Sequence, residues 1–341
     1  MKEASTISAA PRAKIKAPLV SNLIVTYNSA DEIRACLDSI RAQSADFEME
    51  TILVDNASRD GTADIVRAEY PEVKFIDSGY NAGFAAANNL AFQQAGGRFM
   101  LLINPDSVMR PEAIAASINY MASHPRCGIV GGLLVDGEGH SHPSARKFPT
   151  ALTKLITLSG LAERFSSSRF FGAGDFRWFD HKSPLAVDWV PGAFTCVRRS
   201  MIEEIGFFDE RFFLYYEETD LCLRAKRHGW GTFFIPDSVI EHEGGASSKK
   251  IEGQTFDPAG SQVRRFRMMA ECLYHRKNFG LASLLANVGV EILWHQLRRL
   301  VNLRPGELAK NKRRYSAEIV KGLQKAMLDT AYGRTSPATP W

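Results

Sequence analysis

Short apolar runs alternate with stretches of helical periodicity along the first 135 residues of the chain. The apolar runs lie at 19–26, 51–54, 73–76, 98–103 and 127–135. Between the first two runs, apolar side chains recur every three or four residues, as at Ile33, Cys36, Leu37 and Ile40, which predicts a helix. Regular alternation of strands and helices is typical of an α/β protein with a parallel sheet.

The second half of the chain has a different pattern of apolar and polar residues. Residues 136–186 are poor in periodicity and rich in Gly, Ser, Pro and aromatic residues, which predicts an insertion or flexible loop. Strand and helix patterns resume at 187–197, 217–228 and 232–235, and the chain after Ser261 is helical, with an amphipathic stretch at 281–301. These patterns divide the chain into a flexible arm (1–18), an α/β domain (19–255, with halves 19–135 and 136–255) and a helical region (256–341).

Composition narrows the class of protein. The 341 residues are 45% hydrophobic and 23% charged, which excludes wholesale disorder. There is no run of about 20 apolar residues that could span a membrane and no apolar core of a signal peptide at the start. The five cysteines are scattered, without a Cys-x-x-Cys pair, which favours a reducing, cytoplasmic location.

The net charge of +4 conceals a strong asymmetry. From Ser261 to the end there are 15 Lys and Arg against 5 Asp and Glu, whereas the first 260 residues carry 27 against 33. This division indicates an acidic body with a basic tail that meets an anionic partner, unless the basic residues merely form a solvated helical face. No nucleic-acid-binding motif accompanies the tail, so a nucleic acid is not the expected partner.

Polar residues cluster where the predicted strands end, which is where open parallel sheets bind ligands. Neither the dinucleotide fingerprint nor the P-loop is present. Asp55 directly follows the second strand, where its carboxylate could accept the imide N–H of uracil or thymine, or could cap the next loop. Asp106 follows the fourth strand behind Asn104 and Pro105, where it could bind a hard cation or simply form a turn.

Two further sets of polar residues lie beyond residue 200. Glu217, Glu218 and Asp220 fall within one predicted helical turn, and such close carboxylates repel unless a cation or a function compensates. Arg224 lies four residues from Asp220, so an intrahelical ion pair is the simpler explanation for that aspartate. His242 precedes a glycine pair, a setting that suits a phosphate or a metal, although a lone histidine is more often structural.

Seven stretches, taken in order, resemble the inverting glycosyltransferase family 2 and its rhamnosyltransferase-like bacterial polysaccharide branch. They are VTYNSADEIRACLDSI (25–40), VDNASRDGT (54–62), NAGFAAANN (81–89), INPDS (103–107), VPGAFTCVRRS (190–200), FDERFFLYYEETDLCLRAKRHGW (208–230) and EHEGGAS (241–247). The resemblance implies a GT-A nucleotide-diphospho-sugar transferase fold, α/β with a mostly parallel central sheet flanked by helices, over 19–255, followed by a helical C-terminal extension.

The resemblance also implies roles for individual residues. The nucleotide and donor would be bound by Thr26, Tyr27, Asn28, Asp55, Asn81, Gly83, Asn104 and Asp106. Asp106 matches the last aspartate of the family's Asp-x-Asp element and would hold Mg²⁺ or Mn²⁺ together with His242. Asn104 replaces the first aspartate of that element, which removes one charge from the site.

The family's catalytic pair is usually Glu-Asp, and here it is Glu217-Glu218. Glu218 occupies the place of the aspartate and is the expected base, with Glu217 as the alternative. Trp189, Gly192 and Ala193 are expected to shape the sugar and acceptor pocket, although Trp189 also suits a plain core position.

The function implied is transfer of a sugar, with rhamnose as the first choice, during cell-surface polysaccharide synthesis. The donor would be dTDP-rhamnose or a UDP-sugar, and the acceptor a glycan or a lipid-linked oligosaccharide at the inner face of the cell membrane. The basic helices would then meet an anionic membrane surface, a second subunit or the domain itself, and the oligomeric state stays open. The alternatives are a nucleotide-sugar pyrophosphorylase and a non-catalytic carbohydrate- or nucleotide-binding protein.

Overall fold

The computed structural model describes residues 20–43, 47–242 and 261–337. The expected arm at 1–18 and most of the stretch 241–247 lie outside these ranges. The first half has the order β1 (Val20–Thr26), α1 (Ile33–Arg41), β2 (Met49–Asp55), α2 (Thr62–Glu69), β3 (Lys74–Asp77), α3 (Gly83–Gln94), β4 (Phe99–Ile103), β5 (Ser107–Met109), α4 (Ala113–Ser123) and β6 (Cys127–Val135). The predicted alternation of strands and helices is therefore confirmed in this half.

The second half begins with α5 (Ala151–Leu158), α6 (Leu161–Arg164), β7 (Leu185–Val187), β8 (Phe194–Arg198), α7 (Arg199–Ile205), α8 (Glu217–Arg227) and β9 (Gly231–His242). It ends with α9 (Ser261–Val301) and α10 (Glu307–Asp329). The expectation of a loop over 136–186 was wrong at α5 and α6. Helix α5 begins at a reciprocal cap, in which the Thr150 hydroxyl accepts the Thr153 N–H while the Thr153 hydroxyl accepts the Thr150 N–H.

In the described part of the chain, nine strands form one sheet in the order β3-β2-β1-β4-β8-β6-β9-β5, with β7 paired to β9. The pairs from β3 to β4 are parallel, whereas β8 is antiparallel to both β4 and β6. The sheet is thus parallel from β3 to β4, as expected, and mixed beyond β4. Antiparallel β8 places the segment before Phe194 beside the carboxyl end of β4.

Helices cover both faces of the sheet because successive strand residues point to opposite sides. On one face, Ile24 and Leu53 pack with α1, α2 and α4. On the other, Leu23 and Ile52 pack with α3, α7 and α8. The result is a three-layer arrangement that keeps the carboxyl ends of β1, β2 and β4 at one open edge.

The C-terminal helices form a further packed unit. Helix α9 is broken at Gly280, whose φ of +82° and ψ of −176° separate residues 261–279 (α9a) from 281–301 (α9b). Phe266, Met269 and Leu284 pack with Leu323 of α10. None of the helices within the described ranges is both long and apolar enough to cross a membrane.

Gly83 fixes the contact between α3 and the segment that leads into α8. Its φ is +83°, and a Cβ atom there would lie 2.5 Å from both the carbonyl oxygen and the Cδ2 atom of Phe213. The Phe84 N–H donates to the same carbonyl at 2.8 Å. A side chain at this position would therefore push the two segments apart.

We expect Gly83→Ala to lower the free energy of unfolding by about 2–4 kcal/mol, because it combines left-handed strain with a backbone clash. Urea denaturation measures the loss. The matched control is Gly79→Ala, since Gly79 has a φ of +73° but no atom within 4 Å of its built Cβ. That control should cost only about 1–2 kcal/mol, and equal losses for the two variants would contradict the steric argument.

Candidate active site

One cavity of about 690 Å³ opens at the carboxyl edge of the sheet. Its walls come from the ends of β1 and β4, the start of α3, the segment before β8, the start of α8, and α9a. Most of the residues predicted for the site line it, namely Tyr27, Asn81, Gly83, Asn104, Asp106, Trp189, Gly192, Ala193, Glu217, Glu218 and His242. Sequence stretches separated by more than 200 residues thus meet around one space.

Three predicted nucleotide-binding residues, Thr26, Asn28 and Asp55, lie behind the cavity wall and do not line it. Asp55 is buried, and its Oδ1 accepts the hydroxyls of Thr26 at 2.7 Å and Ser58 at 2.5 Å. Its Oδ2 accepts the Ser58 N–H at 2.9 Å. The observed contacts of Asp55 are therefore those of the loop cap that the sequence left open as an alternative.

Asn28 joins the two loops that follow β1 and β2. Its φ is +52°, a left-handed conformation that asparagine tolerates. Its Oδ1 accepts the Arg59 N–H at 2.8 Å, and its own N–H donates to the Ser58 hydroxyl at 2.8 Å. Because both loops are held in this way, Tyr27 and Asn56 are presented to the cavity in fixed positions.

Asp106 and His242 meet on the cavity wall. The antiparallel pairing of β5 with β9 aligns Ser107 with His242, which brings the His242 Nε2 within 3.3 Å of the Asp106 Oδ1. The Asn104 amide nitrogen lies 3.5 Å from the same Nε2. The Ala193 carbonyl fixes the turn because it accepts the Asn104 N–H at 3.0 Å and the Ser107 hydroxyl at 3.1 Å.

The donor atoms of this cluster suit a small divalent cation. They comprise a carboxylate oxygen, an imidazole nitrogen and an amide group, which are ligands compatible with Mn²⁺. Mg²⁺ is commonly held by one or two carboxylates together with substrate phosphates. Among the residues that the structure describes, no group of three or more His, Cys, Asp or Glu side chains gathers as a metal site. Asp106 and His242 therefore fit a cation that is shared with a bound diphosphate.

Glu217 and Glu218 occupy the first turn of α8 and face the same cavity. Burial, and then the neighbouring Glu218 carboxylate, raise the pKa of Glu217 well above its ordinary value. Burial also raises the pKa of Glu218, against the lowering effect of backbone N–H groups and of Arg267 and Arg146. The buried Oε2 atoms of both glutamates have no hydrogen-bond partner in the described ranges. Such a pair is suited to taking up a proton from a bound ligand.

The backbone before α8 is strained. Tyr215 and Tyr216 both have positive φ angles, +72° and +69°, which for tyrosine cost about 1–3 kcal/mol each. The surrounding structure compensates, since the Tyr216 ring packs 5.2 Å from Tyr274 and the Arg267 guanidinium lies 5.3 Å from the Tyr215 ring. Both partners belong to α9a, so the C-terminal helices hold the strained segment that leads into α8.

Asp220, the third carboxylate of this turn, points away from the cavity and is fully buried. It accepts the predicted intrahelical contact from Arg224 Nε at 2.9 Å. It also accepts Lys277 Nζ at 2.7 Å and Asn278 Nδ2 at 2.8 Å. The role of Asp220 is therefore to bind α8 to the end of α9a.

Several residues that line the cavity were not predicted from the sequence, including Asn56, Arg146, Phe266 and Arg267. Arg146 and Trp189 are held together because the two residues exchange backbone hydrogen bonds, and the Arg146 guanidinium lies 5.6 Å from the indole. The Trp189 Nε1 donates to the Lys147 carbonyl at 2.8 Å. Phe266 and Arg267 come from α9a, and no local motif in the sequence marks either residue.

The sheet and the polar cavity at the carboxyl ends of its parallel strands fit a nucleotide-sugar transferase of the GT-A class. The sequence matches the family described as Glycosyl transferase family 2 over residues 21–184. Residues 21–184 therefore form a domain of glycosyltransferase family 2. This match favours a glycosyltransferase over the alternatives of a pyrophosphorylase and a non-catalytic binding protein.

Several relatives in sequence are named as rhamnosyltransferases. The N-acetylglucosaminyl-diphospho-decaprenol L-rhamnosyltransferase of Mycobacterium tuberculosis is 28% identical over 229 residues, covering 64% of this chain and 74% of the relative. The dTDP-rhamnosyl transferase RfbF of Shigella flexneri is 27% identical over 262 residues, covering 75% and 79%. The rhamnosyltransferase WbbL of Escherichia coli K12 is 25% identical over 228 residues, covering 64% and 81%.

Solved structures confirm the fold. The mannosyltransferase PcManGT of Pyrobaculum calidifontis, in complex with GDP-Man and Mn²⁺, superposes with a TM-score of 0.55 at 17% identity, covering 98% of this chain and 92% of that one. GalNAc-T7 with UDP, GalNAc and Mn²⁺ gives a TM-score of 0.53 at 14% identity, covering 94% and 57%. The expected GT-A architecture with a helical C-terminal region is thus confirmed.

We expect Lys277→Met to lower the free energy of unfolding by about 3 kcal/mol, because Lys277 Nζ bridges Asp220 at 2.7 Å and Asp209 at 2.8 Å. Urea denaturation measures this loss. Lys277 and Arg211 hold the pKa of Asp209 well below its usual range despite partial burial, so the stability from that contact is present above the unfolded-state pKa and is lost as the pH falls through the lowered one.

Lys325→Met is the control, because Lys325 is exposed and pairs with Asp329 at 3.4 Å on the surface. Surface pairs of this kind contribute at most about 1 kcal/mol. A Lys277 variant that unfolds like this control would show that the buried contacts do not hold the C-terminal helices in place.

Proposed function

We propose that this enzyme transfers a single sugar, with rhamnose as the first choice, from a nucleoside diphosphate donor to a glycan or lipid-linked acceptor with inversion at the anomeric carbon. The observation that carries the proposal is that one cavity contains Asp106 and His242 on one part of its wall and the adjacent glutamates Glu217 and Glu218 on another. Inverting transfer needs both functions, one for the leaving diphosphate and one for the acceptor proton.

The choice of sugar rests on the relatives, since three of those described above are rhamnosyltransferases by name. One is named for a dTDP-linked donor and another for a diphospho-decaprenol acceptor. By analogy, dTDP-rhamnose is the first donor to test, with a UDP-sugar as the alternative. The product would belong to a cell-surface polysaccharide.

The chain's own residues suggest how the step proceeds. Glu218 removes the proton from the acceptor hydroxyl as that oxygen attacks the anomeric carbon, and the bond to the diphosphate breaks on the opposite face. A raised pKa suits this role because the base must hold the proton it receives. Glu217 is its alternative, because both carboxylates reach the same cavity.

The donor is held at the carboxyl edge of the sheet. Tyr27, Asn56, Asn81 and Gly83 form the wall on the nucleotide side, and the buried Thr26 and Asp55 support them from behind. Asp106 and His242, with Asn104 beside them, would hold Mg²⁺ or Mn²⁺. Such a cation, when bound, neutralises charge on the leaving diphosphate. Trp189, Gly192 and Ala193 border the space left for sugar and acceptor.

The proposed localisation is the inner face of the cell membrane, to which the enzyme would attach peripherally. Support comes from the name of the decaprenol-linked relative and from the 15 Lys and Arg residues after position 260. Long-chain lipid acceptors stay in the membrane, so a transferase that uses them must approach its surface.

The test of the donor site is thermal stabilisation by thymidine, uridine, guanosine and adenosine diphosphates, with and without Mn²⁺. We expect selective stabilisation by one pyrimidine diphosphate, strengthened by Mn²⁺, because Asp106 and His242 would share the cation with the diphosphate. In Asp106→Asn, the gain in apparent nucleotide affinity that Mn²⁺ provides should fall by about tenfold or more. Loss of the charged ligand removes one of the few protein contacts to the cation.

Asp136→Asn serves as the control for this experiment, because Asp136 is a loop carboxylate that contacts His140 and lies outside the cavity. It should respond to nucleotides like the wild type. A flat response of the folded wild-type protein to all four diphosphates would overturn the proposed donor site.

The test of the base compares Glu218→Gln with Glu217→Gln in transfer from dTDP-rhamnose. We expect the variant that lacks the base, Glu218→Gln, to lose about 10²–10⁴ in kcat while retaining dTDP binding, because the amide cannot accept the proton. A larger loss in Glu217→Gln would assign the base to Glu217 instead, and full turnover in both variants would refute a carboxylate base at this position.

The pH profile gives an independent readout. Since burial raises the pKa of Glu218, activity should be lost, as the pH falls, at a higher pH than for an ordinary glutamate. Arg267 lowers that pKa, so Arg267→Met should move the acidic limb of the kcat profile to still higher pH. If the acidic limb of the kcat profile stayed at the same pH, Arg267 would not influence the pKa of the base.

A further inference from the structure

Helix α9b presents an apolar face outward. Its exposed positions are all apolar residues or glycine, namely Leu281, Ala282, Leu285, Ala286, Gly289, Leu293, Leu297, Leu300 and Val301. The exposure of the large side chains ranges from 41% at Leu281 to 77% at Val301. A helix at the surface of a water-soluble domain normally shows the opposite pattern, with charged residues outward.

Four polar residues of the same helix, which recur at every fourth position, point inward. Ser283 and Asn287 contact His275 Nδ1 of α9a at 3.2 and 3.3 Å. Glu291 accepts Lys154 Nζ of α5 at 2.7 Å, and His295 Nδ1 lies 3.1 Å from the Ser316 hydroxyl of α10. The inner side of the helix is therefore fixed by hydrogen bonds, which leaves the leucine-rich side facing out.

This arrangement cannot be relieved by a small rotation of the helix. The inward Asn287 and His295 are 3% exposed, and Leu284 and Val288 are buried beside them. A rotation that covered Leu293 and Leu297 would expose the hydrogen-bonded stripe and would break the Lys154 contact. A contiguous exposed apolar surface of this kind marks a site of interaction with an apolar partner.

Positive charge adjoins the apolar face. Between positions 298 and 314 the sequence contains seven Lys and Arg residues, namely Arg298, Arg299, Arg304, Lys310, Lys312, Arg313 and Arg314, against one acidic residue, Glu307. An apolar face bordered by basic residues is the composition of helices that lie in the surface of an anionic membrane. A second copy of the chain would bring an equally basic segment to the contact, so like charges disfavour self-association.

We propose that α9b lies flat in the surface layer of an anionic membrane. Its leucine face enters the boundary between headgroups and acyl chains, while the basic segment 298–314 meets the phosphates. The same helical unit supplies Phe266 and Arg267 to the cavity wall, so docking holds the cavity beside the lipid. The inference deepens the proposed function and rests on it, because a lipid-linked acceptor gives the contact its purpose.

The experiment is flotation of the full-length protein with vesicles of phosphatidylcholine alone or mixed with phosphatidylglycerol. We expect the wild type to float with the anionic vesicles and to be released by high salt to a large extent. Leu293→Glu/Leu297→Glu should reduce vesicle binding by at least about tenfold, because two charged groups replace inserted leucines. Thermal stabilisation by dTDP is measured in parallel and should be unchanged.

The charge-matched control is Gln94→Glu/Asn119→Glu, since these residues are exposed on α3 and α4 and away from α9b. It adds the same negative charge and should float like the wild type. If the control lost as much vesicle binding, the cause would be the added negative charge alone. That result would overturn the insertion of the leucine face into the membrane.

Two other outcomes would also overturn the inference. One is a wild-type protein that binds neither vesicle. The other is a dimer in light scattering that Leu293→Glu/Leu297→Glu converts to monomers without any change in flotation, which would make a second copy the occupant of the face. Because nucleotide stabilisation is read separately, a wild-type protein that binds dTDP but neither vesicle refutes the membrane contact and leaves the proposed transferase standing.

Discussion

The buried carboxylate of Asp220 is the contact on which the rest of the active site depends. It lies in the first turn of α8 and receives Arg224 from its own helix and Lys277 and Asn278 from α9a. Because an unpaired buried charge is costly, this cluster forces the C-terminal helices to pack against α8. The positions of Glu217 and Glu218, and of the wall contributed by α9a, follow from that attachment.

The two groups of polar residues in the cavity are held in place by different kinds of backbone structure. Asp106 and His242 are fixed by strand pairing between β5 and β9, which is rigid and is set by register. The glutamates instead follow two tyrosines in left-handed conformation, held by packing against α9a. Asp106 and His242 are therefore preorganised by the sheet, whereas the placement of Glu217 and Glu218 depends on contacts made by a distant part of the chain.

The sequence predicts well those features that arise from local patterns. Apart from the short β5, which was not predicted, the order of strands and helices up to β6 follows from hydrophobic periodicity, and the cluster of site residues follows from polar residues placed at strand ends. The helices α5 and α6 were missed because aromatic and glycine-rich neighbours obscure their short apolar pattern, although the Thr150 and Thr153 cap was a usable signal. Phe266 and Arg267 could not be predicted, because only tertiary packing brings them to a cavity formed by residues far away in sequence. Asp55 is the opposite case. Its position at the end of the second strand was predicted, but its observed hydrogen bonds are made to Thr26 and to the loop residue Ser58.

The inward polar residues of α9b, namely Ser283, Asn287, Glu291 and His295, limit how the sequence of this helix can vary. Each residue of a helix turns the next by about 100°, so a single insertion ahead of Ser283 would carry Asn287, Glu291 and His295 off the inner side together. A change of a whole turn, or an exchange of one outward leucine for another apolar residue, would leave the stripe in place. Homologous enzymes that retain this architecture should therefore differ freely in the identity of the outer residues and in helix length by complete turns, but not in the phase of the inner hydrogen-bonding positions.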